Sequence, residues 1–145
     1  MLTRLDDYPL HQTREPIRHP STGDRNFYDR YFFHGYSREG EFFFGAALGL
    51  YPKRRVMDAA VSIVADGKQH TVRASRLAPR ERTETRVGPM TVEVVEPLRT
   101  LRVRVDANPT GIEADVTFRP RSEATEEPRM TAGGGGRVTL DATRL

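Results

Sequence analysis

Among its 145 residues the chain has no cysteine and no tryptophan. Without thiols it has no disulfide framework, no thiolate metal site and no cysteine nucleophile, and a cytoplasmic location is the expectation. Long apolar runs are missing as well. No window approaches the roughly 20 apolar residues of a membrane span, and the opening MLTRLDDYPLHQ lacks the apolar stretch of a signal peptide. Histidine is sparse, and His11, His19, His34 and His70 form neither a strand pair two apart nor a helix pair four apart, so neither a metal site nor a cofactor is expected. No GxSxG motif surrounds a serine and no dinucleotide fingerprint occurs. No segment sustains a helical period over three turns.

Lysine is nearly absent too. Of 23 basic residues only Lys53 and Lys68 are lysines, which leaves 21 arginines, and the net charge is +3. The arginines alternate with acids and apolar residues, as in Arg102-Val103-Arg104, and no basic run exceeds Lys53-Arg54-Arg55. Nucleic-acid binding calls for a clustered basic footprint, so a nucleic-acid partner is not expected.

Aromatic residues, by contrast, are concentrated. Ten of the twelve lie between Phe27 and Tyr51, in FYDRYFFHGYSREGEFFFGAALGLY. This stretch builds the most apolar wall of the molecule, either an ordinary core or the lining of a pocket for a flat, oily ligand. The length fits one domain. Residues 1–26, interrupted by Pro9, Pro16 and Pro20, read as an extended arm, and 27–145 as an antiparallel β domain.

Within that domain the pattern repeats with period two. A strand over Arg30–Tyr36 turns through Arg38-Glu39-Gly40 into a second over Glu41–Tyr51, which Pro52 ends. The second strand is apolar on both sides: Phe42, Phe44, Ala46, Leu48 and Leu50 on one, Phe43, Gly45, Ala47, Gly49 and Tyr51 on the other. Both sides therefore need a cover, and the Gly45/Gly49 side admits a backbone or a ligand closely. Met57–Ala65 and Gln69–Ser75 flank Asp66-Gly67, a strong hairpin signal. After a polar stretch over Arg76–Arg86, three alternating segments follow, Pro89–Val95, Leu98–Ala107 and Gly111–Phe118. Arg121–Gly136, with four consecutive glycines at its end, reads as a mobile loop without the features of a phosphate loop, and Arg137–Ala142 as a last strand. A strand so close to the C-terminus suggests an N-terminal part of a longer protein.

The residues able to carry chemistry stand near the ends of the aromatic hairpin. Phe32, His34 and Tyr36 share one face of the first strand, so His34 is bracketed by rings; if shielded, it could act as a general acid or base together with Asp29 or Glu41. The plainer reading is a surface ion pair for Asp29 with Arg30 and a satisfied sheet histidine. Tyr31, Phe33, Tyr36, Phe42, Phe44, Gly45, Gly49 and Tyr51 are the candidate ligand wall.

The stretches from Arg25 to Arg76 and from Val87 to Arg121 resemble the N-terminal half of bacterial proteins related to the AttH and hydroxyneurosporene synthase (carotenoid hydratase) group. That resemblance implies an all-β, lipocalin-like (calycin-like) barrel or sandwich, the first of two such domains, with a second β domain C-terminal to it. It implies a hydrophobic small molecule of terpenoid, steroid, polyketide or acyl type as partner. It carries over no catalytic residue, because the expected acid of that group belongs to the second half. Three functions follow: a module binding such a ligand, a domain of a hydratase, cyclase or isomerase in which the rings stabilise a developing cation, or a structural docking domain without ligand.

Overall fold

Alternating side chains and hairpin turns dictate strands, and strands are what form. The computed structural model describes residues 2–10 and 23–125, together with the backbone of two further strands. In chain order the strands are β1 (Asp29–Tyr36), β2 (Phe42–Tyr51), β3 (Val56–Ala65), β4 (Lys68–Leu77), β5 (Arg86–Val87), β6 (Met90–Glu96), β7 (Thr100–Val105), β8 (Ala114–Phe118), β9 (Pro128–Ala132) and β10 (Val138–Ala142). They pair as two four-stranded antiparallel sheets, β1-β2-β3-β4 and β5-β6-β7-β8, plus the ribbon β9-β10. Every ladder joins strands that follow each other in sequence.

The turns explain the registers. Asp66 and Gly67 take φ of 51° and 70°, the doubly left-handed pair of a two-residue I′ hairpin, and Ala65 consequently faces Lys68. The first hairpin closes through Gly40 at φ 75°, with Ser37 N–H donating to Phe42 O at 2.9 Å, which sets Tyr36 opposite Phe43. Pro52 stops β2 and opens a short 3-10 turn, Pro52–Arg54, from which the left-handed Arg55 leads into β3.

The two sheets pack through one face each. Phe44, Ala46, Leu48, Leu50, Met57, Ala59, Val61 and Val72 of the first meet Val87, Met90, Val92, Val103 and Val105 of the second, with Leu10 and Ile112 completing the cluster. Leu50 and Met57, opposite each other in the β2–β3 ladder, are fully buried. The interior is thus filled by side chains, as in most small β cores. The arrangement is all-β, and among the described residues no ladder joins β4 to β5 or β8 to β1, so two separate sheets stand where the sequence reading allowed either a closed barrel or a sandwich.

Two short strands escape the period-two pattern. β5 has two residues, and β9 falls within the stretch expected to be a loop. The four glycines that prompted that expectation, Gly133–Gly136, lie outside the described residues, as do 11–22 of the expected N-terminal arm. Residues 2–10 of the arm form turns and place Leu10 in the core.

On the outside of the second sheet, charge is balanced strand by strand. Arg102 forms paired hydrogen bonds to the Asp115 carboxylate and lies 3.6 Å from Glu93, while Arg104 reaches Glu93 at 3.1 Å and Asp106 at 3.3 Å. The bond from Arg102 holds the Asp115 carboxyl below the usual range.

The sheets approach closely where Gly88, at φ 57°, turns β5 into β6: a Cβ there would sit 2.7 Å from the Ala74 methyl of β4. Gly88→Ala meets both a left-handed backbone and an immovable neighbour, and we expect it to cost about 2–4 kcal/mol. Gly67→Ala, left-handed with nothing within 4 Å, shares only the backbone part, about 1–2 kcal/mol. Denaturant melts of the two variants check the order; equal losses would show that the Ala74 contact is unimportant.

Candidate functional site

Strands that do not ladder leave a seam, and between β1 and the β7–β8 side it is spanned by the N-terminal segment. Asp29, at the start of β1, accepts Leu10 N–H at 2.8 Å on one carboxylate oxygen and Arg30 N–H at 2.8 Å on the other. The Tyr31 hydroxyl donates to Asp7 O at 2.5 Å. Arg82, buried in the loop before β5, donates to Leu10 O at 2.6 Å. Asp7 in turn accepts Leu98 N–H from the β6–β7 turn. Leu10 and Leu98 are both left-handed, at φ 61° and 63°, a conformation that costs a leucine about 1–2 kcal/mol. Each is held there by a carboxylate on its N–H, which offsets that cost.

Apolar side chains complete the seam. Phe33 of β1 packs on Phe118 of β8 with ring centroids 4.6 Å apart, and Phe44 lies 6.4 Å from the same ring. An open cleft of about 390 Å³ results, with Phe118, Leu101, Leu98 and Pro120 as its wall and Asp7 as its carboxylate. A smaller one of about 180 Å³, lined by Asp7, Asp29, Tyr31 and Leu101 among others, adjoins it. Leu98 and Pro120 also border a larger, more polar hollow of about 600 Å³ beside Leu2 and Arg121. Both adjoining clefts combine aromatic and aliphatic walls with a carboxyl, the usual make-up of a small-molecule site, and the 390 Å³ one is the roomier of the two.

Burial governs the chemistry here. It raises the Asp7 carboxyl above the ordinary aspartate range, against the lowering pull of Leu98 N–H, with the nearby Asp6 charge adding to the rise. Burial also pushes the Tyr31 hydroxyl up, aided by the charges of Asp7 and Asp29, so Tyr31 is a hydrogen-bond donor at neutral pH. Arg82 is shifted down by burial, and Asp6 and Tyr31 oppose that shift. Asp7 is therefore a carboxyl whose protonated form is favoured by burial beside an apolar wall.

The sequence-derived residues are not one constellation. His34 points outward and is exposed, its ring 5.8 Å from Phe32, so the rings beside it do not shield it from water. Glu41 is exposed in the first hairpin turn, at the end of β1 opposite to Asp29 and about 20 Å or more from it by strand length. Asp29 has both oxygens engaged by backbone and acts as a clamp. Of the expected ligand wall, Tyr31 and Phe33 are half-buried at the seam and Phe44 is in the core, whereas Phe42 is exposed at the strand end. Tyr36, Gly45, Gly49 and Tyr51 belong to the opposite face of the first sheet. There the glycines border no chamber: a Cβ on Gly45 would meet the Phe43 ring at 3.2 Å, and one on Gly49 would meet Asp58 Oδ1 at 2.9 Å and the Tyr51 ring at 3.2 Å. The strand's own rings fold over its glycines.

Asp7, Leu98 and Phe118 were missed. Asp7 sits in a polar, proline-bearing segment without a motif, but Tyr8 and Phe118, the two aromatics outside the 27–51 cluster, both border these clefts. Among the described residues no three His, Asp or Glu side chains gather as a metal site, and no helix is long and apolar enough to cross a membrane.

Fold and site define an all-β protein of two antiparallel sheets with a part-apolar cleft at their open seam. The chain belongs to DUF8625, a family of unknown function whose model matches residues 2–145. Comparison with curated proteins and comparison with solved structures each find no match.

Because the folded state holds the Asp7 proton more tightly than the unfolded chain does, this group favours folding below the ordinary aspartate pKa of about 3.9 and opposes it increasingly as pH rises through the raised value. Asp7→Asn should match the wild type near pH 3.5 and be the more stable of the two at pH 7. Melting curves across that range test this; a gap independent of pH would show that Asp7 titrates normally.

Proposed function

We propose that the chain is a binding domain for a hydrophobic small molecule, held in the cleft at the seam. The observation that carries this reading is the aromatic and aliphatic wall of Phe118, Leu101 and Leu98 around a carboxyl whose pKa burial raises. A ligand of terpenoid, steroid, polyketide or acyl type would lay its apolar body along that wall and turn one polar group to Asp7. A protonated Asp7 donates a hydrogen bond to a carbonyl or hydroxyl oxygen; an ionised one accepts from a hydroxyl. The resemblance of the aromatic hairpin to the carotenoid hydratase group supports the same ligand class, and with it a lipocalin-like reading of the two meandering sheets and a second β domain. The filled core argues that the ligand sits at the edge of the sheets and not between them.

A second reading, a domain of a hydratase, cyclase or isomerase, rests on the same carboxyl. In that reading a protonated Asp7 delivers its proton to an alkene carbon, leaving a cation that the Phe118 ring stabilises; water adds to the cation and returns a proton to the Asp7 carboxylate.

Titration with geraniol, oleate and a steroid, followed by displacement of an environment-sensitive dye and by thermal shift, tests the binding reading. Phe118→Asp should weaken the best ligand about thirty-fold, near 2 kcal/mol, while Phe32→Ala, on the other face of the sheet, should leave it unchanged. No shift with any of the three, or equal effects of the two substitutions, would remove the cleft as the site.

A further inference from the structure

The outer face of the first sheet is unlike any other surface of the molecule. Side chains of one parity on β1 place Arg30, Phe32, His34 and Tyr36 there, and Tyr28 precedes them. Phe32 is 62% and Tyr36 76% exposed, and Tyr28 and Phe43 are exposed beside them. Solvent-exposed aromatics at this density on one sheet face mark a recognition surface.

The rings are interleaved with cations. The Arg30 guanidinium lies 5.8 Å from the Tyr28 ring centroid and 5.6 Å from that of Phe32, so two π faces hold it in the row. Tyr28 also stacks on Tyr51 at 5.6 Å. Next to that pair, two or three residues along the chain from each, Arg25, Asn26, Lys53 and Arg54 line an open polar cleft of about 580 Å³, braced by Arg54 donating to Asn26 Oδ1 at 2.7 Å. Farther across the face, a hollow of about 550 Å³ lies over the small side chains of Ala47 and Ala60 with Arg73 at its rim.

Charge separates this face from the other sheet. Arg86, Arg102 and Arg104 of the second sheet are all paired with carboxylates. Among the described residues Arg25, Arg30, Lys53, Arg54, Arg55 and Arg73 form no ion pair. Asp24, Asp29 and Asp58 are the acids beside them in sequence or across the ladders, so cations outnumber carboxylates there six to three. Such a face repels a second copy of itself and suits an anionic partner with flat, apolar rings.

We infer that this face binds single-stranded nucleic acid, with bases stacked on Tyr28, Phe32 and Tyr36 and phosphates at Arg25, Lys53, Arg54 and Arg73. Stacking platforms flanked by cations are how proteins hold such strands without reading their sequence. From Tyr28 to Tyr36 the row runs about 26 Å, longer than one nucleotide. A duplex would hide its bases from these rings. The site lies on the face of the sheet opposite the core, independent of the cleft at the seam.

The test is fluorescence anisotropy of a labelled oligothymidylate of about 15 nucleotides, against the intact chain at about 50 mM salt, beside a duplex of equal length. Single strands should bind more tightly than the duplex and quench tyrosine emission, which no tryptophan obscures. Phe32→Ala and Tyr36→Ala, both exposed and expected to melt like the wild type, should each weaken binding about ten-fold. Arg54→Ala should reduce the slope of log affinity against log salt by about one, and Arg102→Ala on the other sheet should change neither quantity. Three outcomes would overturn the inference: no binding at low salt, binding indifferent to Phe32→Ala and Tyr36→Ala, or a concentration-dependent dimer that those substitutions dissolve.

Discussion

Once the two sheets pack through their apolar faces, what ties their unladdered seam is the clamp on residues 7–10. Within a sheet the ladders are self-sufficient, but among the described residues no strand pairing joins β1 to the β7–β8 side. The connection is made instead by Asp29 and Arg82 gripping Leu10 from its two backbone ends, by Tyr31 holding Asp7 O, and by Asp7 reaching Leu98. These bonds form partly out of water, where each is worth more than on the surface and where losing a partner leaves a buried polar group unsatisfied. The same clamp brings a carboxyl to the cleft and perturbs it. Structure and candidate chemistry therefore share one set of residues.

Seen from the first sheet, the two faces of β2 meet different fates. Its even-numbered residues go into the core, closed over by the second sheet and by Phe118. Its odd-numbered residues are covered by Phe43 over Gly45 and by Asp58 of β3 and Tyr51 over Gly49, and otherwise lie beside the exposed row of β1. Glycine permits this because the ring of a residue two positions along can lie flat over a position with no Cβ. An apolar strand can thus be buried on one side and half-dressed on the other.

The hairpins were legible because their causes are local. Asp66-Gly67 and Arg38–Gly40 turn where left-handed backbone is cheap, and the alternation on either side sets the strand faces. β5 is too short to show a period, and β9 opens on proline in a segment of low hydrophobicity, so neither announces itself. Periodicity also says that β2 is apolar on both faces without saying which receives the second layer; that choice is made by residues far along the chain, Val103 and Val105 among them. The seam was invisible for the same reason, since Asp7, Tyr31 and Leu98 are separated by 24 and 91 residues from their partners. The basic cleft likewise exists only because the fold sets Arg25 next to Lys53 and Arg54, which no run of like charges reveals.

Consecutive-strand pairing has a bearing on how the chain assembles. Every ladder is between neighbours, so each hairpin can close as soon as its two strands exist, with little loop entropy to overcome. The segment around Leu10 can meet Asp29 and Tyr31 once β1 exists, yet its grip is complete only when Arg82 and Leu98 are in place. Residues 7–10 are accordingly secured in full only at the end, a latch thrown once both sheets have been built.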